Sequence, residues 1–243
     1  MKIKISQSMI RDFYDSNYCK IKWEEMYFNN YRSTPTSAMM DGLIFEQLVI
    51  GESRGGEVYS LPKLKSGKPS KRETDLFELS QFAKQTIKDL KIEILDVQPE
   101  WIVNDLIGHP DCLITYKGEK AILDLKYTAV KEDDSCKWNP YAWDDLEYKD
   151  FKQALHYVEM YYLMHGEYLP FFYLVFGKSG WVKFICVDIT SSSMDDYRML
   201  LNTFREDFKT FKPNPINRFE ICRKCNLKCN ERTEKPNIIN IQI

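Results

Sequence analysis

The fold is decided by the stretch Gly108-His109-Pro110-Asp111, followed after a turn signal at Lys117-Gly118-Glu119 by Ile122-Leu123-Asp124-Leu125-Lys126. Residues 106–116 and 120–127 mix β-branched, aromatic and polar side chains, a composition typical of strands. A glycine-containing turn between two such segments predicts a β-hairpin.

Three charged side chains share one face of this hairpin if its turn holds two residues. Side chains alternate along a strand, so Asp124 and Lys126 point to the same side. A turn at Lys117-Gly118 places Asp111 opposite Asp124. A turn at Gly118-Glu119 places it opposite Lys126 instead, and a three-residue loop breaks the arrangement.

Two carboxylates facing each other across a hairpin repel unless a positive charge lies between them. Hard oxygen ligands of this kind suit magnesium or manganese, which also accept phosphate oxygens. The alternative is an exposed strand face that carries one salt bridge between Asp124 and Lys126. The spacing alone leaves both interpretations open, a site for a divalent cation or a salt bridge on a strand face.

The order of the motifs resembles the PD-(D/E)XK nuclease superfamily, and its RecB-like branch in particular. Gly108-His109-Pro110-Asp111 is similar to the family's Gly-x-x-Asp, and Asp124-Leu125-Lys126 is similar to its (Asp/Glu)-x-Lys element. Gln153-Ala154-Leu155-His156-Tyr157 is similar to the Gln-x-x-x-Tyr motif of the RecB-like branch, and its glutamine and tyrosine share one face of a predicted helix. The resemblance implies a catalytic set of Asp111, Asp124, Lys126, Gln153 and Tyr157.

A predicted helix over residues 36–50 carries a further candidate metal ligand. Gly42-Leu43-Ile44-Phe45-Glu46 is similar to the family's Gly-x-x-x-His, with a glutamate where the family has a metal-binding histidine. A carboxylate is a harder ligand than imidazole and favours magnesium. Without the resemblance, Glu46 is the polar side of an amphipathic helix. The resemblance implies Mg²⁺ or Mn²⁺ held by Glu46, Asp111, Asp124 and the Leu125 carbonyl.

Cysteines supply the second signal. The chain has 7 of them, and their odd number argues against a disulfide framework. Cys222, Cys225 and Cys229 have the close spacing of thiolates gathered around a metal. RecB-like nucleases with an iron–sulfur cluster combine three such C-terminal cysteines with one N-terminal cysteine. The resemblance therefore implies a [4Fe-4S] site completed by Cys19, with zinc as the alternative metal.

Contacts with DNA are expected to be local, because the net charge is −2. Residues 63–72 form a basic stretch interrupted by glycine and proline, which predicts a loop that touches phosphates. The alternative is a solvated loop. The predicted DNA-binding residues are Lys63, Lys65, Lys68, Lys71 and Arg72.

The sequence also suggests roles for the aromatic residues of one long connection and for two further cysteines. The connection over residues 131–148 carries Trp138, Tyr141 and Trp143, which either stack on single-stranded bases or pack the loop onto the body. Cys112 and Cys186 are predicted core residues, because one faces away from Asp111 and the other lies in an apolar run.

The predicted fold is α/β, with a restriction-endonuclease-like core in which helices flank a central mixed β-sheet. One nuclease domain is expected over residues 1–243: a mainly helical region at 1–90, the core at 91–211 and a cysteine-bearing tail at 212–243. Helices are predicted at 6–15, 19–29, 36–50, 74–90, 150–165 and 192–211, and strands at 92–103, 106–116, 120–129, 168–176 and 181–189.

The sequence thus predicts a metal-dependent DNA nuclease, and the resemblance favours an exonuclease of recombination, repair, phage replication or CRISPR-related processing. The alternatives are a sequence- or structure-specific endonuclease of the same fold, and a DNA-binding module that has lost cleavage. The expected partners are DNA with a free end or single strand, and recombination or replication proteins. No apolar run reaches membrane-spanning length and no signal peptide is recognised, so a cytoplasmic location is expected.

Overall fold

Helices and strands alternate along the chain in the computed structural model, which describes residues 4–15, 18–51, 57–61, 63–130, 143, 150–213 and 227. The helices are α1 (Gln7–Tyr14), α2 (Lys20–Phe28), α3 (Ser37–Ile50), α4 (Lys71–Asp89), α5 (Lys152–His165) and α6 (Ser191–Lys209). The strands are β1 (Glu93–Val97), β2 (Trp101–Val103), β3 (Leu106–Gly108), β4 (Cys112–Tyr116), β5 (Glu119–Thr128), β6 (Phe171–Gly177) and β7 (Val182–Val187).

A five-stranded sheet with the order β1-β4-β5-β6-β7 forms the centre of the fold. The pair β5–β6 is parallel and the other neighbours are antiparallel, so the sheet is mixed. A parallel pair needs a crossover connection, and α5 lies in the connection between β5 and β6. The predicted α/β class, with helices flanking a central mixed sheet, is confirmed.

The turn between β4 and β5 holds two residues. Tyr116 pairs with Glu119, and both residues between them have positive φ, 53° at Lys117 and 85° at Gly118. Two successive left-handed residues form a type I′ turn, whose twist matches that of the flanking strands. The register therefore continues toward Asp111 opposite Asp124, the first of the predicted alternatives.

One face of the sheet carries the main hydrophobic core. Leu123 and Leu125 of β5 join Cys112 and Ile114 of β4 in a cluster with apolar side chains of α3 and α4. Asp124 lies on the opposite face because side chains alternate along β5. The alternation predicted for this strand is confirmed.

Two strands predicted as continuous are broken, which corrects the prediction. The segment 92–103 divides into β1 and β2, and 106–116 divides into β3 and β4. Pro110 has no N–H to donate to a strand ladder, so pairing stops at His109-Pro110-Asp111. The short strands β2 and β3 pair with each other in a separate two-stranded sheet.

Two smaller predictions are also wrong. Helix α4 begins at Lys71 rather than Thr74, because the Ser70 hydroxyl accepts a hydrogen bond of 3.2 Å from the Glu73 N–H and caps the helix there. Cys186 is exposed rather than part of the core, since β7 is an edge strand of the sheet. Cys112, by contrast, is fully buried as predicted.

The chain divides into two compact units, Met1–Lys4 with Pro35–Arg198, and Ile5–Thr34 with Met199–Ile243. The first contains the sheet, and the second contains α1, α2 and the end of α6. In the second unit, the fully buried Trp23 donates from Nε1 to the Met9 carbonyl at 2.8 Å, and Phe13 packs edge-on against Trp23 and Phe204. The expected single nuclease domain stays a prediction.

None of the described helices has the length and apolar character that crossing a membrane requires.

Candidate active site

Asp111 and Asp124 are buried side by side on the β4–β5 hairpin, where Asp111 directly precedes β4 and Asp124 lies in the middle of β5. Asp124 is fully buried and Asp111 is 1% exposed. The Leu125 N–H donates to Oδ2 of Asp111 at 2.8 Å, so the Asp111 carboxylate is held against the β5 backbone next to Asp124. The Lys126 ammonium forms an ion pair with Oδ2 of Asp124. The structure therefore brings together the three charges that the sequence placed on one face.

Lys126 supplies the positive charge that this pair of carboxylates needs. Burial lowers the pKa of Lys126, but Asp124 and Asp111 outweigh it, and the pKa is raised above its usual value. The ammonium is therefore charged at neutral pH. It also lies 5.7 Å from the centroid of the Tyr173 ring, a cation–π distance.

Besides burial, the negative charge of the carboxylates raises the pKa values of two neighbouring side chains, Cys112 and Tyr173. Burial raises the pKa of the Cys112 thiol, and Asp111, Glu46 and Asp124 raise it further. Burial likewise raises the pKa of Tyr173, with Asp124 as the next cause. All three predicted carboxylate ligands therefore act on one thiol.

Glu46 reaches this region from α3 and is held there by a residue that the sequence did not indicate. Nε2 of Gln98 donates a short hydrogen bond to Oε1 of Glu46. The backbone N–H of Gln98 donates to the Asp111 carbonyl at 2.8 Å. No local sequence signal marks Gln98, because its partner Glu46 lies 52 positions away.

The donor chemistry fits a divalent cation. Asp111 and Asp124 offer carboxylate oxygens in a buried site, and Glu46 offers a third carboxylate near them. Within the described ranges, no group of three or more histidine, cysteine or acidic side chains already stands in metal-binding geometry. Asp111 and Asp124 form the pair that the fold brings together, and ligation by Glu46 and by the Leu125 carbonyl stays a prediction.

The predicted Gln153 and Tyr157 share one face of α5, as expected. Nε2 of Gln153 donates to the Tyr157 hydroxyl at 3.4 Å, and this hydroxyl donates to the His109 carbonyl at 3.0 Å. Tyr157 therefore fixes the loop that ends at Asp111, a role the sequence did not suggest. Its predicted hold on Lys126 or on a substrate phosphate stays a prediction.

His156 is a second residue that the sequence analysis missed. Its Nε2–H donates to the Ile107 carbonyl at 2.9 Å, which leaves Nδ1 to accept from the Tyr197 hydroxyl at 2.5 Å. Burial lowers the pKa of His156 to about 4. The neutral imidazole therefore ties β3, just before the Asp111 loop, to α5 and α6.

The predicted DNA-binding residues differ in their surroundings. Lys63, Lys65, Lys68 and Lys71 are exposed. Arg72 instead pairs with Asp41 at 2.6 Å and donates to the Ser37 carbonyl at 2.7 Å. The four lysines therefore have the exposure that phosphate contacts require, although Lys71 also pairs with Asp75 at 3.7 Å. Arg72 is held by Asp41 and Ser37.

The structure describes only some of the remaining predicted residues. Cys19 is buried at the N-cap of α2, whereas Cys222, Cys225 and Cys229 lie outside the described residues. So do Trp138 and Tyr141. Trp143 packs against Tyr173 with 5.3 Å between ring centroids, and its carbonyl accepts from Nζ of Lys183 at 2.7 Å. For Trp143, this contact favours packing onto the body.

A cleft of about 870 Å³ opens beside the charged residues. Glu46 and Lys126 are among its lining residues, together with apolar side chains of α3 and the end of β5.

No family model and no curated protein matches this chain. Its fold does match solved structures, 15 chains in all. One is the crystal structure of a protein from Eubacterium rectale named "putative exonuclease". The two share a TM-score of 0.63 and 19% sequence identity, over 93% of this chain and 89% of that chain. The chain therefore shares its fold with that protein.

Proposed function

We propose that this protein is a metal-dependent DNA nuclease of the RecB-like kind, and that it acts as an exonuclease. The observation that carries the proposal is the buried pair Asp111 and Asp124 with Lys126 on the same hairpin face. A salt bridge on an exposed strand would not bury two carboxylates together. The fold shared with the E. rectale protein supports the same reading.

Asp111 and Asp124, with Glu46 and the Leu125 carbonyl, would hold Mg²⁺ or Mn²⁺. A divalent cation bound there supplies positive charge to the scissile phosphate and lowers the pKa of water. The two carboxylates would hold this cation from a rigid strand pair, because the Leu125 N–H fixes the Asp111 carboxylate. Their burial keeps bulk water from screening these charges.

Lys126 has two tasks in this mechanism. Its raised pKa keeps it protonated, so it orients the attacking water by donating a hydrogen bond. The same ammonium stabilises the negative charge that develops on the phosphate oxygens. Gln153 and Tyr157 support the site from α5 by fixing the His109 carbonyl, two residues before Asp111.

The substrate proposed is DNA with a free end or a single strand, held at phosphates by Lys63, Lys65, Lys68 and Lys71. These lysines are exposed, as such contacts require. Recombination or replication proteins are the proposed partners of such an enzyme.

Cleavage assays with four substrates test this proposal. The protein is incubated with linear and closed circular DNA, each double- and single-stranded, in magnesium, manganese or chelator. Lys126→Ala is compared with Lys120→Ala, which removes an exposed lysine from the same strand. We expect degradation of linear DNA with metal only, loss of cleavage in Lys126→Ala, and full activity in Lys120→Ala.

Several outcomes contradict the proposal. Cutting of closed circles at discrete positions would favour the endonuclease alternative over an exonuclease. Binding of DNA without cleavage in either metal would favour the inactive binding module. Full-rate cleavage by Lys126→Ala would remove the role assigned to this lysine.

We further propose that Cys19, Cys222, Cys225 and Cys229 bind a [4Fe-4S] cluster. The support is the close spacing of the three C-terminal cysteines together with a cysteine near the N-terminus. Protein purified without oxygen should be brown, absorb broadly in the visible and contain about four irons per chain. Colourless protein with stoichiometric zinc would contradict the cluster and support the zinc alternative.

A further inference from the structure

Gln98 joins two elements of the candidate site. It lies between β1 and β2, and its side-chain amide donates to Oε1 of Glu46 on α3. Its backbone N–H donates to the Asp111 carbonyl at 2.8 Å, at the residue before β4 begins. One residue therefore contacts both Glu46 and the segment that carries Asp111.

The backbone of Gln98 has a conformation that ordinary side chains avoid. Its φ is 48°, in the left-handed region where non-glycine residues are uncommon. Such conformations persist where surrounding contacts enforce them and are frequent at functional sites. At this position, the left-handed backbone is combined with the N–H bond to Asp111 and the side-chain bond to Glu46.

We propose that Gln98 is a positioning residue that fixes the Glu46 carboxylate relative to Asp111 for metal binding. The inference rests on the proposed function, because it takes Glu46 and Asp111 as ligands of the same cation. A glutamine amide suits this task because it donates a hydrogen bond without bringing a charge. A lysine or arginine in its place would compete with the cation for Glu46.

The two candidate ligands belong to separate elements of the fold, and Gln98 links these elements. Glu46 lies on a helix and Asp111 precedes a strand, so neither backbone fixes the geometry of the other. Hydrogen bonds to ligating carboxylates set their orientation, and removal of such a partner commonly weakens metal binding by about 10- to 100-fold. Gln98 supplies this bond to Glu46.

The test measures Mn²⁺ binding directly, by electron paramagnetic resonance of the free ion, without DNA. Gln98→Asn is the main variant, because asparagine tolerates a left-handed backbone but is one methylene too short to reach Glu46 in the same way. Gln98→Met keeps the length and removes the donor, and it serves as a second variant if the first does not fold. Glu46→Gln and the double variant Gln98→Asn/Glu46→Gln complete a double-mutant cycle.

We expect Gln98→Asn and Gln98→Met to weaken the tightest Mn²⁺ site by about tenfold or more. In the Glu46→Gln background, Gln98→Asn should cause little further loss, because its effect acts through Glu46. Wild-type affinity in both Gln98 variants would overturn the proposal. So would an equal loss with and without Glu46, since a merely structural role produces that additivity.

The double-mutant cycle measures Mn²⁺ binding, so its result can be distinguished from that of the DNA cleavage assay. If the wild-type protein binds Mn²⁺ with the expected coupling but cleaves no DNA, the nuclease proposal fails and the role of Gln98 stands. If the wild-type protein binds no Mn²⁺, both fail.

Discussion

At the scale of the residue, the charge of Lys126 allows two carboxylates to be buried together. Asp111 and Asp124 are almost completely buried, and the ion pair of Lys126 with Asp124 offsets their repulsion. A bound cation would do the same. Lys126 and a bound cation would therefore stabilise the folded protein in the same way, by offsetting the repulsion between the two carboxylates.

In chelator, Lys126→Ala should lower the free energy of unfolding by about 2 to 3 kcal/mol. This is less than the cost of breaking a fully buried ion pair, because the lysine side chain is 31% exposed. Mn²⁺ should then stabilise this variant more than it stabilises the wild type, because the cation replaces the missing charge. Urea unfolding with and without Mn²⁺ measures both effects. Lys120→Ala is the control and should change stability by less than about 0.5 kcal/mol. A Lys126→Ala protein as stable as the wild type in chelator would contradict this account.

His156 should make the protein less stable in mild acid. Its pKa in the folded protein is about 4, below the ordinary value of 6.5, so the unfolded chain binds a proton more readily. Stability is therefore lost as the pH falls from 6.5 toward 4, by about 3 kcal/mol from this group alone. Urea unfolding across this range measures the slope. His156→Gln should flatten it, whereas His165→Gln, at an exposed position, should not; a slope unchanged by His156→Gln would assign the effect elsewhere.

At the scale of the element, the packing of α5 on β3 depends on the absence of a side chain at Gly108. A Cβ there would lie 2.8 Å from Cε1 of Tyr157 and 2.9 Å from Sδ of Met160. The glycine of this Gly-x-x-Asp segment therefore has a packing role. It lets the tyrosine of α5 reach the His109 carbonyl.

Gly108→Ala should destabilise the protein by about 1 to 3 kcal/mol, because the added methyl group pushes α5 away from β3. Gly42→Ala is the matched control, because the position is inside helix α3 and a Cβ built there meets nothing within 4 Å beyond its chain neighbours and the backbone of its own helix. It should stabilise the protein by about 0.5 to 1 kcal/mol. Thermal unfolding of both variants measures the contrast, and equal effects would show that Gly108 has space around it.

The elements that sequence could predict are those with a local signal. The β4–β5 hairpin follows from strand composition and a two-residue turn with a glycine, and the face shared by Asp124 and Lys126 follows from alternation. Alternation alone predicts continuous strands and does not indicate the breaks near Gln98 and Pro110. The second of these breaks follows from the proline, which cannot donate to a strand ladder. Gln98 itself could not be predicted, because its role depends on a contact across 52 positions.

At the scale of the whole molecule, the charge distribution predicts how DNA binding depends on salt. The net charge is −2, so the proposed DNA binding would have to come from local cations, for which the exposed Lys63, Lys65 and Lys68 are the candidates. Each phosphate contact contributes about 0.7 to 0.9 to the slope of log affinity against log salt.

Replacing these three lysines with glutamine should therefore reduce that slope by about 2 to 3. The control is the same replacement at Lys84, Lys88 and Lys91, which are also exposed. It changes the net charge by the same amount. Fluorescence anisotropy with single-stranded DNA in chelator, at several salt concentrations, measures the slopes. Equal reductions in both variants would mean that overall charge, rather than the predicted basic stretch, controls binding.

The proposed metal-dependent cleavage of DNA depends on the buried carboxylates Asp111 and Asp124 of the β4–β5 hairpin. Single-turnover cleavage of end-labelled linear DNA in Mn²⁺ by the wild type, Asp124→Asn and Lys120→Ala tests it most directly. We predict cleavage by the wild type and by Lys120→Ala, and a rate at least about a hundredfold lower in Asp124→Asn, because the substitution removes a buried ligand charge. Cleavage by Asp124→Asn at the wild-type rate, in protein that folds normally, would contradict the claim.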